Sequence, residues 1–246
     1  MTIVLLLFAA GLWAGAQNAL AGGGSFVTLP ALILAGLDPR AANITSTIAL
    51  FPGQLTTGYA GRSLVAGAER LSFRALAAIS LVGGIAGAFV LLQTPPDIFA
   101  AMVPWLVLAA TALFAWSSFG PAPRADSAPP PAWVSALIQS GIAVYGGFFG
   151  GGAGIMTLAA LTLARMPVRN AAGTKNVLVA LANIAAAGVF AFSGAVAWRH
   201  ALAVGIGAML GGYGGALLLK RVPARVLKLG VVVIGAALTI ALFVRG

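Results

Sequence analysis

Apolar residues along this chain fall into ten runs: 2–21, 25–37, 41–60, 72–92, 98–119, 133–149, 154–164, 169–193, 198–218 and 225–244. A helix needs about 20 residues to cross a bilayer, so 25–37 and 154–164 are too short to cross alone. Each short run follows a glycine cluster, Gly22-Gly23-Gly24-Ser25 in the first case and Gly150–Gly154 in the second. Glycine costs about 1 kcal/mol per residue against alanine inside a helix, so each cluster is expected to break one. A break in hydrocarbon leaves N–H and C=O groups that lipid cannot satisfy, and it survives only inside protein or beside a watery cavity. The helix that restarts after the break aims its N-terminal N–H groups at that cavity, which suits an anion. Two such breaks at corresponding places in two halves point to a transport site.

The halves are legible. The Pro-rich stretch 120–131 is the only linker, and it separates residues 1–119 from 132–246. A shift of 129 places Gly22, Gly23, Thr28, Leu29, Ala31, Leu32, Leu34, Ala35, Arg40, Ala42 and Thr45 on identical residues, from Gly151 to Thr174. A shift of 128 later puts Gly83, Gly84, Gly87 and Pro95 on Gly211, Gly212, Gly215 and Pro223. Apolar composition alone would match some Leu and Ala, but not Gly pairs, Thr, Arg and Pro in register, so the chain is read as an internal duplication.

Composition sharpens the class. Of 246 residues 61% are hydrophobic and 7% charged, against about 25% charged in soluble domains. The expected fold is an all-α polytopic membrane protein. Residues 1–21 carry a small-residue cleavage look-alike, Ala19-Leu20-Ala21, but no basic stretch before it, and are expected to be retained. The net charge of +10 comes from basic residues set singly between apolar runs, which fits topology signals beside anionic lipid better than nucleic-acid binding. With Lys175 set aside, a broken unit that crosses once divides the connecting Lys and Arg six against seven. A unit that enters and leaves on one side divides them ten against three, with Arg40, Arg199 and Arg245 the minority. The second division obeys the positive-inside rule. It gives each half one glycine-broken unit (2–37, 133–164) plus three crossings (41–60, 72–92, 98–119; 169–193, 198–218, 225–244), hence inverted repeats with the linker cytoplasmic. Residues 2–21 are long enough to span, which leaves the crossing alternative open.

Candidate binding chemistry gathers at the breaks and the helix that follows each one. Thr47 and Gln54 are seven apart on one helical face, Asn176 and Asn183 repeat that spacing, and Asn43 extends the first stripe. Such amides and hydroxyls otherwise serve as glue between membrane helices. Lys175 lies about two turns into its helix, where a cation is expensive unless paired or hydrated. It is read as offsetting an anion's charge, with snorkelling to the interface as the alternative. Its repeat counterpart is Ser46. The candidate site is therefore Gly22, Gly23, Gly24, Ser25, Asn43, Thr45, Ser46, Thr47, Gln54, Gly151, Gly152, Gly154, Thr174, Lys175, Asn176 and Asn183. The Gly83 and Gly211 clusters are read as close helix contacts. All four acids, Asp38, Glu69, Asp97 and Asp126, lie in connections, so no mid-span carboxylate can relay protons or sodium. There is no cysteine, no metal-ligand cluster and no nucleophile–base pair, so no enzyme activity, cofactor or metal is expected.

The two copies of a glycine-rich break, a short helix with a T-L-x-A-L run, and a following A-x-x-T helix start resemble the TauE/SafE family of sulfite and organosulfonate exporters. Here they stand as Gly22–Leu32 with Ala42–Thr45, and Gly151–Leu161 with Ala171–Thr174. The resemblance covers the whole chain. It implies a small sulfur-containing anion as substrate and a bacterial-type cytoplasmic membrane as location, and it supplies no site residues. Export needs no coupling ion: a potential of about −150 mV gives a monoanion about 3.5 kcal/mol, some 300-fold in gradient. A proton-coupled importer (using His200 or Lys175), an anion channel and a non-transporting scaffold are the other readings. The expected partners are the anion and the lipid bilayer; no nucleic acid and no particular oligomer is indicated.

Overall fold

A computed structural model describes residues 2–20, 23–68, 70–120, 129–218 and 224–245. Among them the chain forms ten α-helices and one short 3-10 turn, with no β-strand. In the first half these are α1 (Thr2–Leu20), α2 (Ser25–Leu34), α3 (Pro39–Gly61), α4 (Phe73–Gln93) and α5 (Pro96–Phe119). In the second they are α6 (Ala132–Phe148), α7 (Ala153–Leu163), α8 (Val168–Ala191), α9 (Trp198–Leu218) and α10 (Ala224–Arg245). Gly23 and Gly24 in the first cluster and Gly150–Gly152 in the second fall between helices, and the ten runs of the sequence become the ten helices. Helices α4, α5 as far as Trp116, and α8 are long and apolar enough to cross a membrane by themselves.

The starts of the helices are set locally. Asp38 caps α3 by accepting from the Arg40 and Ala41 amides at 3.0 Å each, with Pro39 in the first turn, where its missing N–H costs nothing. Ser72 caps α4 through the Ala75 amide. Arg40 reaches across to the end of α4 and donates to the Leu92 and Thr94 carbonyls, satisfying acceptors that the helix leaves open.

The halves interlock by exchange. Helix α1 packs along α9 as α6 packs along α4, and α3 meets its own counterpart α8. The two exchanged contacts are glycine seams. A Cβ at Gly11 or Gly15 would strike the Val204 or Ala208 backbone, and one at Gly207 or Gly211 the Phe8 or Leu12 backbone. Gly83, Gly87 and Gly147 do the same between α4 and α6, while Gly84 faces Ala182 of α8. Apolar side chains give no hydrophobic drive in lipid, so this backbone approach supplies dispersion contact instead. Gly212 and Gly214 are roomier: a Cβ at Gly212 would meet Gly15 O at 3.7 Å and one at Gly214 nothing.

Directions follow from the same contacts. Along α1 the sequence Phe8, Leu12 meets Gly207, Gly211, so α1 and α9 run in parallel from a common end. Thr45, near the start of α3, accepts from the amide of Ala197, just before α9. Hence α3 begins at the end where α1 begins, and the unit α1–α2 leaves the bundle at the end it entered. The second half repeats this. Helix α6 runs parallel to α4, and Thr174 near the start of α8 holds Ala66, just before α4, through both its N–H and its C=O. Helices α3 and α8 therefore lie antiparallel.

Candidate functional site

Each break is a set of backbone groups that side chains must satisfy. At the first, Gln17 Nε2 donates to Gly23 O at 3.0 Å and Asn18 Oδ1 accepts from Gly24 N at 2.7 Å. At the second, Tyr145 Oη donates to Gly151 O at 2.8 Å and Asn43 Nδ2, from the other half, to Phe148 O at 3.0 Å. The chain turns at Gly23 (φ +84°) and Gly152 (φ +83°), both in the left-handed region that residues with a Cβ avoid. Gln17, Asn18 and Tyr145 are not repeat counterparts, so the two breaks are shaped alike and held differently.

The two breaks meet at one cavity of about 80 Å³. The first half contributes Asn18, Gly23, Ser25 and Gln54; the second contributes Gly150, Gly152 and Gly154, then Lys175 and Asn176 from α8. Ile155, Leu158 and Val179 form its apolar wall. One water occupies about 10–15 Å³ on this scale, so the space suits a few waters or one small polyatomic ion. Ser25 opens α2 and Gly154 stands in the first turn of α7, so two helix N-termini flank the space, each the equivalent of about half a positive charge. The Lys175 stem passes Gly154, whose Cβ position lies 3.6 Å from Lys175 Cδ. Among the described residues no hydrogen bond or ion pair reaches Lys175, and no carboxylate lines the cavity.

Seven of the sequence candidates thus share this space: Gly23, Ser25, Gln54, Gly152, Gly154, Lys175 and Asn176. Eight others lie outside its lining, mostly in the framework. Gly24 is bound to Asn18 and Asn43 to Phe148. Thr45 holds Ala197 and Thr174 holds Ala66. Ser46 pairs with Thr28 at 2.6 Å, Thr47 donates to Asn43 O, and Gly151 packs beside the Phe149 and Phe26 rings. Asn183 stands behind Gln54 and donates to its oxygen at 2.5 Å. Gly22 lies outside the described residues. His200 is not in the lining. Asn18 was missed, although an amide closing an apolar run beside a glycine cluster is a readable signal; Gly150 lay in the recognised cluster but was not singled out.

The cavity is one-sided. The counterparts of Ile155, Leu158, Lys175 and Val179 are Phe26, Leu29, Ser46 and Leu50, each no more than 2% exposed. A phenyl ring stands where the second half has a butyl side chain, and a hydroxyl bound to Thr28 where it has an ammonium. Only the second half keeps room and charge beside its break.

The chain matches the family described as sulfite exporter TauE/SafE over residues 7–242. It is 32% identical over 244 residues to "Probable membrane transporter protein ORF9" of Sinorhizobium, covering 98% of this chain and 92% of that one. A "Probable membrane transporter protein" of Haemophilus influenzae is 28% identical, with 85% and 82% covered. "Probable membrane transporter protein YfcA" of Escherichia coli is 27% identical, with 95% and 87% covered. No solved structure matches the chain.

Proposed function

The chain belongs to the sulfite exporter TauE/SafE family and is a multi-pass membrane transporter, and from that premise we propose that it carries a small sulfur-containing oxyanion, such as sulfite or a short sulfonate, out of the cell across the cytoplasmic membrane. One observation carries the reading: both glycine breaks open onto a single cavity that holds Lys175 and, among the described residues, no carboxylate. An anion entering a partly dry space loses hydration that must be replaced. Two helix N-termini and one ammonium replace it, with Gly23, Ser25, Gln54, Gly152, Gly154 and Asn176 around the ion.

Export is driven by the interior-negative potential, about 2.3 kcal/mol per charge per 100 mV. A lining with no acidic side chain among the described residues agrees with a carrier that needs no proton or sodium relay. The two halves act as inverted repeats, a reading supported by antiparallel α3 and α8 and by units α1–α2 and α6–α7 that return to the end they entered. Residues 120–131 are then the cytoplasmic linker between repeats 1–119 and 132–246.

Counterflow in liposomes tests this directly. Purified protein should exchange labelled sulfite or thiosulfate against unlabelled sulfite, thiosulfate and sulfoacetate, saturably and without a pH gradient. Exchange that requires a proton gradient, or conductance too fast to saturate, would favour the importer or channel instead.

A further inference from the structure

Two further spaces lie between the cavity and the end of the molecule where α6 begins. The outer one, about 310 Å³, is lined by Ala68, Pro130, Ser135 and Leu163, near the starts of α4 and α6 and at the end of α7. The inner one, about 10 Å³, lies between α6, α7 and α8 and has room for about one water. Gln139 lines both. Val179 lines the inner space and the cavity, and the Asn183–Gln54 hydrogen bond runs from one to the other.

Gln139 stands seven residues into α6, about 10 Å from its start, and is 2% exposed. Its Nε2 donates to Ser80 Oγ of α4 at 3.0 Å, and among the described residues no donor reaches its Oε1. A buried amide arm without a partner is costly, so packing alone does not account for it. The counterparts of Gln139 and Ser80 are Ala10 and Ala208, so the matching seam between α1 and α9 closes with neither polar group. The seams differ once more nearer the breaks. Gln17 accepts from Trp13 Nε1 and donates to Gly23 O, which fills the first. Its counterpart is Gly146, and the inner space lies beside it.

Resting on the anion-transport reading above, we infer that Gln139 is a waypoint for the oxyanion on a route from the cavity to the end where α6 begins, between α4, α6, α7 and α8, with Ser80 as the positioning residue behind it. A hydroxyl can donate as well as accept. Ser80 therefore holds the Gln139 amide whichever arm faces the route. That amide can give an N–H to a passing oxyanion and a C=O to the water that moves with it. The inner space is the narrowest point. Room for one water is too little for a sulfur oxyanion, so the seam at Gly146 and Val179 must part at each passage.

The chain has no cysteine, so thiols can be placed one at a time. Sulfonatoethyl methanethiosulfonate, an impermeant anion, should modify Gln139→Cys in membrane vesicles from the side that exposes Arg169→Cys, and not from the other. Thr157→Cys lines the same inner space, is close in size to the residue it replaces, and serves if Gln139→Cys fails to insert. Val107→Cys, as deeply buried in α5 and lining none of the three spaces, should stay unmodified. Gln139→Leu keeps the bulk and removes both arms. It should lower the maximal counterflow rate about tenfold or more, while equilibrium binding of labelled methanesulfonate to the purified protein, which reads the cavity, stays unchanged. A role as helix glue alone gives the opposite result, lower thermal stability with a normal rate. Failure of both Gln139→Cys and Thr157→Cys to react from that side, or a normal rate in Gln139→Leu, would overturn the inference. Modification as expected, with no counterflow of any anion in the wild type, would leave the route standing and sink the anion-transport reading on which the waypoint rests.

Discussion

Lys175 and Ser46 occupy the same place in the duplicated pattern and do opposite things. Ser46 is 1% exposed and its hydroxyl is shared with Thr28, which also donates to Gly24 O. It is part of the packing. Lys175 stands at the cavity with no partner among the described residues, an arrangement that is costly in lipid unless an anion or water completes it. Lys175→Met keeps the stem beside Gly154 and removes the charge. A charge-assisted hydrogen bond is worth about 1.5–3 kcal/mol, so anion affinity should fall about 10- to 150-fold, read as the half-saturation concentration in counterflow. Insertion and thermal stability should persist. Ser46→Ala should do the reverse: affinity within twofold of wild type, and about 1 kcal/mol less stability from the lost hydroxyl pair. Equal affinities for Lys175→Met and wild type would mean that the ammonium snorkels to the interface and takes no part in binding.

The helical elements were written plainly in the sequence. Glycine clusters, Pro39 and Ser72 punctuate the apolar runs strongly enough that all ten helices follow from them. The broken units were also legible, because lone glycines are common in membrane helices but clusters of three to five are not. What could not be read was which polar side chains face the cavity. Asn43 and Asn176 both lie in the polar start of a helix that follows a break, yet one caps Phe148 across the bundle and the other lines the cavity. Helical spacing assigns a face, and only the packing of the other half decides what that face meets. Gly152→Ala forces a Cβ into left-handed backbone and to 3.0 Å from Ala110 Cβ, so it should destabilise by about 1–2 kcal/mol or more whatever the substrate does. Gly154 has ordinary helical backbone, and a Cβ there would make ordinary contacts with Lys175 Cδ at 3.6 Å and Val179 Cγ2 at 3.7 Å. Gly154→Ala should therefore transport, whereas Gly154→Leu should fold and fail, with counterflow below about a tenth of wild type. Normal transport by Gly154→Leu would show that the ion's path lies elsewhere.

At the scale of the whole molecule, the proposed topology of returning units draws support from two independent observations. Basic residues divide ten against three only if each broken unit returns to its starting side. The packing supports the same proposal without reference to charge, since α1 starts beside the start of α9 while Thr45 ties the start of α3 to that end. A chain in which the broken unit 2–37 crossed once would place the start of α3 at the far end from Ala197, beyond reach of that bond. Single cysteines decide the matter cleanly, because the chain has none of its own. Ser63, Asp97, Arg169 and Arg199 are all exposed in or beside the connections. Returning units put Ser63 and Arg169 on one side of the membrane, with Asp97 and Arg199 on the other. A crossing unit separates Ser63 from Arg169, and Asp97 from Arg199, because α6–α7, which lies between the members of each pair, then adds one passage. Impermeant maleimide applied to intact cells should accordingly label Asp97→Cys and Arg199→Cys alone, and reach Ser63→Cys and Arg169→Cys only after the membrane is opened. Labelling of Ser63→Cys and Arg169→Cys from opposite sides would end the inverted arrangement, and with it the account of why a chain with so few charges places nearly all the basic ones in four of its connections.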